Sequence, residues 1–393
     1  NNIFVTCPNG LEEVTAKQVK ALTSIDPILK NGGVALSCEL KDIYRLNYSL
    51  RTATYILKEI ISFRATNIFD VYSKIKAYDW TTLVSREDTI SIKTRTNSKY
   101  YKNSNFLSLR VKDAIVDRIL LDKKFRPSVN KIDPTYSFFI NVRDNKVKLY
   151  LNTSGEPLYK RNYRGRVHRA SLNPTIAAGI VYLSGWDFKT PLYDPMCGSG
   201  TILIEAMMIS ASIPNGYLRK KYAFQNWKNY DEDNFKRLKS EYIKNIDFKL
   251  RTLIQGSDNT EKNIYLVNQS IEKFSMNNKI KLKVNDILDF KVLSDSGTII
   301  MNPPHGLRMS NEHSLKSLYS NIGDVLKKKC KNHDAYIFCM NNSLSKSIGL
   351  RTKRRYPIKN GKLDCRLLYY PISDGMDIQF YLFTGVSKQF SII

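Results

Sequence analysis

Hydrophobic and polar positions follow two rhythms along this chain, and the switches between them mark out its elements. Residues 3–7 read as a strand, Pro8-Asn9-Gly10 as a turn, and residues 11–22 carry Leu11, Val14, Gln18 and Leu22 at helical spacing. Residues 33–38 predict a second strand, 41–50 a second helix and 55–63 a half-buried third strand. The mixture then repeats with different spacing. A helix over 68–77 and a strand over 89–96 precede an amphipathic helix over 106–121, carried by Leu109, Val111, Ile115, Ile119 and Leu120. Residues 136–142 and 147–152 predict a hairpin turned at Asp144-Asn145.

The second half changes character. Residues 173–184 predict a helix with Ile176, Ala177, Ile180, Val181 and Leu183. The run Asp194-Pro195-Met196-Cys197-Gly198-Ser199-Gly200-Thr201, flanked by apolar residues 181–183 and 202–208, predicts a strand ending in a glycine turn that feeds a helix. Residues 214–251 are rich in Lys, Tyr and Phe with mixed charge, and read as a surface helical excursion. Strands over 252–254, 280–284, 297–301 and 335–340 alternate with helices over 261–274 and 315–327. A hairpin over 355–359 and 363–370, turned at Asn360-Gly361, follows. The strand-like run 378–383 suggests no function. The first blocks thus predict an α+β module of ferredoxin-like type, and the rest an α/β Rossmann-like domain. A chain of 393 residues exceeds a single typical core. We expect domains over 1–64, 65–155 and 156–393.

Charge changes the picture next. Against 36 acidic residues stand 62 lysines and arginines, a formal net charge of +26 that favours a polyanionic partner. Five of these bases lie between Lys160 and Arg169. Arginine pairs bidentately with phosphate and tyrosine offers a flat face, so Lys160, Arg161, Tyr163, Arg164 and Arg166 are candidate RNA contacts. The six cysteines are scattered without a Cys-x-x-Cys pair, and there are four histidines. Neither a metal site nor a disulfide scaffold is expected. No apolar run approaches a membrane span and the amino terminus lacks a signal-peptide pattern, so a cytoplasmic protein without membrane contact is expected. With Asn1 rather than methionine first, we expect the numbering to begin inside a trimmed or processed chain.

The glycine turn bears on the cofactor. No lysine follows Gly200, which excludes a Walker phosphate cradle, and Leu203 stands where a dinucleotide fingerprint needs its third glycine. The run resembles the cofactor loop of S-adenosylmethionine (SAM) methyltransferases, making Asp194, Cys197, Gly198, Ser199 and Gly200 candidate cofactor residues. Asp258 ends the next strand, where a ribose diol would be gripped; alternatively it caps the following helix. Asp286 could accept the adenine amino group or be a plain turn acid. After the buried run 297–301 come Asn302, Pro303, Pro304 and His305, the prolines holding the Asn302 side chain and the Pro303 carbonyl rigidly. This resembles the Asn-Pro-Pro-Tyr motif of amino-methyltransferases.

With these pieces in place, the helix-strand-helix-strand-strand order of the second block resembles a THUMP domain, an RNA-binding module. The chain as a whole resembles the bacterial THUMP-containing large-subunit rRNA guanine-N2 methyltransferases. The likeness is carried by Phe4 to Glu12, Lys160 to Arg164, Leu183 to Trp186, the glycine turn, and Gly361 to Cys365. It implies a Rossmann-like SAM methyltransferase domain behind a ferredoxin-like/THUMP module, with RNA, most of all rRNA, as substrate. It also implies that Asn302 Oδ1 and the Pro303 carbonyl accept the guanine amine's N–H groups while His305, in place of the usual tyrosine, stacks on the base. A tRNA guanine-N2 methyltransferase, a DNA amino-methyltransferase and a non-catalytic RNA-binding or ribosome-assembly protein stay open as alternatives.

Overall fold

The computed structural model describes residues 1–164, 171–305, 312–340 and 342–373. Arg166 and the run 378–383 lie outside the described residues. The strands are β1 (Asn2–Thr6), β2 (Ile28–Lys30), β3 (Gly33–Ser37), β4 (Tyr55–Arg64), β5 (Thr89–Asn97), β6 (Ser128–Val129), β7 (Tyr136–Arg143) and β8 (Lys146–Asn152). They continue as β9 (Leu192–Asp194), β10 (Ile254–Asp258), β11 (Ile280–Val284), β12 (Gly297–Met301), β13 (His333–Cys339), β14 (Arg354–Asn360) and β15 (Leu363–Ile372). The helices are α1 (Glu12–Thr23), α2 (Leu40–Ser49), α3 (Ile68–Lys76), α4 (Ser104–Lys123) and α5 (Pro174–Leu183). After them come α6 (Thr201–Ser210), α7 (Glu232–Lys244), α8 (Glu261–Glu272), α9 (Glu312–Lys329) and α10 (Asn342–Ser347).

The chain divides into two compact units, residues 1–162 with 212–246, and residues 163–211 with 247–393. Among the described residues no helix is long and apolar enough to cross a membrane.

In the first unit one sheet runs β2-β3-β1-β4-β8-β7-β5-β6. The ferredoxin-like and THUMP blocks therefore share one sheet, joined where β4 pairs antiparallel with β8. Its core includes Val5, Ile43, Ile56, Val111, Ile115, Phe138 and Leu149. The hairpin turn falls at Asp144-Asn145 as expected, with Asp144 at φ +51.

The excursion after α6 departs from its surface reading. Phe224 is fully buried, with ring centroids 4.6 Å from Tyr44 of α2 and 5.1 Å from Phe235 of α7, and Tyr222 stacks on it at 5.2 Å. Arg219 donates to the carbonyls of Ser154, Glu156 and Pro157. Residues 212–246 thus complete the core of the first unit. In α7 an apolar stripe of Phe235, Leu238 and Tyr242 faces this core, whereas Tyr222 and Phe224 lie outside any long helix, where no periodicity marks a buried face.

The second unit holds a sheet ordered β11-β10-β9-β12-β13-β15-β14. From β11 to β13 the pairings are parallel, and β15 and β14 close the edge antiparallel. Residues 298–301 of β12 are all buried, as the unbroken apolar run of a covered parallel strand requires. The α5 helix is apolar on every side and buried from Pro174 to Val181, with Asn173 capping it by accepting from Thr175 N. The β14–β15 hairpin closes one residue later than expected. Asn360 pairs with Leu363, leaving Gly361 and Lys362 as the loop, with Gly361 at φ +63.

If the excursion is core, Phe224→Ala should lower the stability of the full chain by about 3–5 kcal/mol. Urea denaturation followed by tryptophan fluorescence would read the loss, and a change near zero would return the segment to the surface.

Candidate active site

The strand β9 has only three residues, yet it sits between β10 and β12. Gly256 pairs with Asp194 on one side, and Ile299 with Tyr193 on the other. Asp194 ends β9, Asp258 ends β10, and Asn302 directly follows β12, so all three gather at the carboxyl ends of parallel strands. This is also where the strand order reverses direction, the position at which open α/β sheets hold ligands. Asp258 itself pairs with Val284, and Asp286 lies two residues past that pair.

The glycine turn is latched to the end of β10. Cys197 N donates to the Ser257 carbonyl at 2.9 Å and Gly198 N to Asp258 Oδ2 at 3.0 Å. The two glycines differ in purpose. Gly198 has φ +54, and a Cβ there would meet nothing within 4 Å, which leaves one side of the loop open to a ligand. Gly200, at φ +77, precedes α6, and a Cβ on it would lie 2.7 Å from both methyls of Val267 in α8. Ser199 Oγ lies 3.1 Å from Ser171 Oγ.

Asp194 is 1% exposed and accepts from Met196 N at 3.2 Å. Burial, reinforced by the neighbouring Asp258, pushes its carboxyl up to about 8. The same burial holds the Cys197 thiol well above its ordinary value, so it is an inert packing group rather than a nucleophile. Asp258 ties the start of α8 to the glycine turn. Its Oδ1 accepts from Thr260 N at 3.0 Å and from Asn263 Nδ2 at 2.9 Å, as a cap would, while Oδ2 latches Gly198. Asp286 is exposed and caps the short 3-10 turn at Ile287–Asp289 through Leu288 N, 2.9 Å away.

At the end of β12, Asn302 is half-buried, Pro303 buried and Pro304 exposed. His305 Nε2 lies 2.8 Å from Asn302 Oδ1. Its Nδ1 lies 3.5 Å from the hydroxyl of Tyr319, a fully buried residue of α9 whose hydroxyl also donates to the Pro304 carbonyl at 3.3 Å. Desolvation pulls the imidazole down to about 4, so it is neutral at physiological pH. The ring stands edge-on to Phe338, centroids 6.2 Å apart. Tyr319 had no sequence signal beyond its place in an amphipathic helix.

The basic segment ahead of this unit needs correction as an RNA contact. Arg161 is 2% exposed and donates to the carbonyls of Leu158 and Arg51. Tyr163 is 1% exposed, its hydroxyl 3.2 Å from Glu205 of α6. Arg164 is half-buried and donates to the Leu172 carbonyl and Thr201 Oγ1. These side chains are consumed by internal carbonyls and hydroxyls, which accept guanidinium donors as phosphate would. Lys160 alone of the four described residues is exposed, and it pairs with Glu156.

Comparison with known proteins accords with this geometry. Residues 161–369 match the family described as RMKL-like, methyltransferase domain; residues 2–57 match the RlmL ferredoxin-like domain, and 65–152 the THUMP domain. A Synechocystis sp. protein whose name marks it as a candidate RNA methyltransferase is 32% identical over 369 residues, covering 94% of this chain and 96% of its own. The ribosomal RNA large subunit methyltransferase K/L of Desulfotalea psychrophila is 32% identical over 372 residues, 93% of this chain but 52% of that protein, so the chain spans about half its length. Among solved structures, a candidate methyltransferase named SMU.472, crystallised with SAH, superposes with a TM-score of 0.85 at 24% identity over 95% of this chain and 98% of that one, a likeness of fold. The chain therefore belongs to the RMKL-like methyltransferase family, with a ferredoxin-like and a THUMP domain ahead of its Rossmann-like catalytic domain.

Proposed function

We propose that this chain is a SAM-dependent RNA methyltransferase acting on the exocyclic N2 of a guanine in large-subunit ribosomal RNA. The observation that carries the reading is the pairing of β9 with β12, which sets the Asp-Pro-Met-Cys-Gly-Ser-Gly-Thr loop beside Asn302 and Pro303. The donor set fits the cofactor. Gly198 leaves room on one side of the loop, and the carboxylates of Asp194 and Asp258 suit a charged amino group and a ribose diol. Bound there, SAM supplies an already activated methyl group. Ser199 and Asp286 complete the cofactor set.

The protein's own contribution is orientation. An exocyclic guanine amine is a weak nucleophile because its lone pair is delocalised into the ring. Asn302 Oδ1 and the Pro303 carbonyl accept its two N–H bonds, and this draws the nitrogen toward tetrahedral geometry and localises the lone pair on it. The two prolines fix both acceptors before substrate arrives, so little reorganisation is left for the reaction. The target base is swung out of its stack to reach them. An RNA substrate agrees with the net charge of +26 and with the THUMP domain. Six unpaired, buried cysteines agree with a reducing cytoplasmic setting.

Asn302→Ala should keep SAM affinity and lower methyl transfer on the order of 10²–10³-fold. Labelled SAM incubated with separated rRNA and tRNA reads both the loss and the substrate class. Unchanged turnover would defeat the assignment, and label on tRNA alone would move the substrate to tRNA.

Asp194 gives a pH test. Its carboxyl stays neutral in the ligand-free fold up to about 8 but ionises in the ordinary carboxylate range when unfolded. Its contribution to stability is full at acid pH and is lost as pH rises toward 8. Ligand-free Asp194→Asn should therefore gain stability relative to wild type as pH rises from 5 to 8, while binding SAM at least tenfold more weakly. Parallel stability curves for the two proteins would count against a buried acid.

A further inference from the structure

The residue after the two prolines does something the motif's usual tyrosine could not. A side-chain amide oxygen only accepts, so the 2.8 Å contact between Asn302 Oδ1 and His305 Nε2 requires the proton to sit on Nε2. The Nδ1 lone pair then faces the Tyr319 hydroxyl, 3.5 Å away, whose single proton it shares with the Pro304 carbonyl at 3.3 Å. Tyr319 is fully buried in α9, and Phe338 of β13 meets the imidazole edge-on, so the ring is bracketed from two elements.

We propose that His305 is a positioning residue for methyl transfer: its Nε2–H fixes which way round the Asn302 amide sits, with Oδ1 on the imidazole and one lone pair of that oxygen left to accept, and Tyr319 in turn steadies the imidazole. This rests on the reading that Asn302 accepts the substrate amine. A free asparagine amide turns over readily, and the turned form would point its NH2 at the amine's own N–H groups, a donor against a donor. With Nε2–H in place the turned form sets two donors against each other within the protein, so the productive orientation is selected before RNA arrives. A carbonyl oxygen has two lone pairs, so Oδ1 still accepts one substrate N–H after accepting from His305. An imidazole committed to Asn302 is held by that bond rather than lying free over the base. This replaces the stacking role expected from the motif.

The test separates tether from stacking. His305→Phe keeps a flat ring and removes the N–H; Tyr319→Phe keeps the buried ring and removes only the hydroxyl. Tethering predicts that His305→Phe lowers kcat about tenfold to a hundredfold, with the RNA KM and SAM affinity within twofold of wild type. Tyr319→Phe should lower kcat several-fold in the same pattern. Stacking predicts the reverse: full kcat in His305→Phe and a raised RNA KM in His305→Ala. A nitrogen-15 spectrum of the ligand-free protein should show His305 as the Nε2-protonated tautomer. Full kcat in His305→Phe, or an Nδ1-protonated ring, overturns the proposal. Failure of the underlying reading looks different, because there Asn302→Ala itself would remain active.

Discussion

The candidate site is assembled by one short parallel pairing. Only three residues of β9 are extended, and they are hydrogen-bonded on both sides, to β10 and to β12. A strand this short has little order of its own; its neighbours hold it, and they bring their own loop residues to the same edge. The two motifs lie about a hundred residues apart in the chain, and adjacent strands in a sheet are about 5 Å apart. The glycine turn and the Asn-Pro-Pro segment therefore meet because of the sheet, and each is stiffened before any ligand binds. Backbone hydrogen bonds from Cys197 and Gly198 to β10 hold the first, and two prolines hold the second.

Electrostatics follow from the same arrangement. Burying Asp194 under the loop, with no cationic side chain hydrogen-bonded to it among the described residues, leaves an acid whose charged form is disfavoured in the ligand-free protein. A fold selected for stability alone would not bury such a group. Near a ligand that carries positive charge it becomes an asset, because desolvation strengthens the attraction it offers. The Asn302–His305–Tyr319 chain is the neutral counterpart on the neighbouring loop, where burial keeps the imidazole uncharged.

The first unit shows how basic composition can mislead. Arg51, Arg161 and Arg219 spend guanidinium donors on backbone carbonyls of the linker and the excursion, where loops would otherwise leave acceptors unsatisfied. The aromatic cluster of Tyr44, Tyr222, Phe224 and Phe235 supplies the apolar counterpart. Positive charge available to a polyanion must accordingly come from elsewhere on a surface that is lysine-rich overall.

Much of the architecture was legible locally. Period-2 and period-3.6 patterns, Asp144-Asn145 and Gly361 at turns, and apolar runs ending in an acid or an Asn-Pro-Pro each act over a few residues, so the order of elements and both loop motifs could be read from the chain. Three things could not. Which strand lies beside β9 is a matter of pairing between distant segments. Whether Arg161 and Tyr163 meet RNA or the interior depends on which acceptors the packed chain brings near them, and the same holds for the aromatics of residues 212–246. His305 gains its partner only when α9 packs against the end of β12. Local sequence determined what each loop is able to do, while the tertiary structure decided which loops face one another, because proximity between distant residues is created by burial of the surfaces between them.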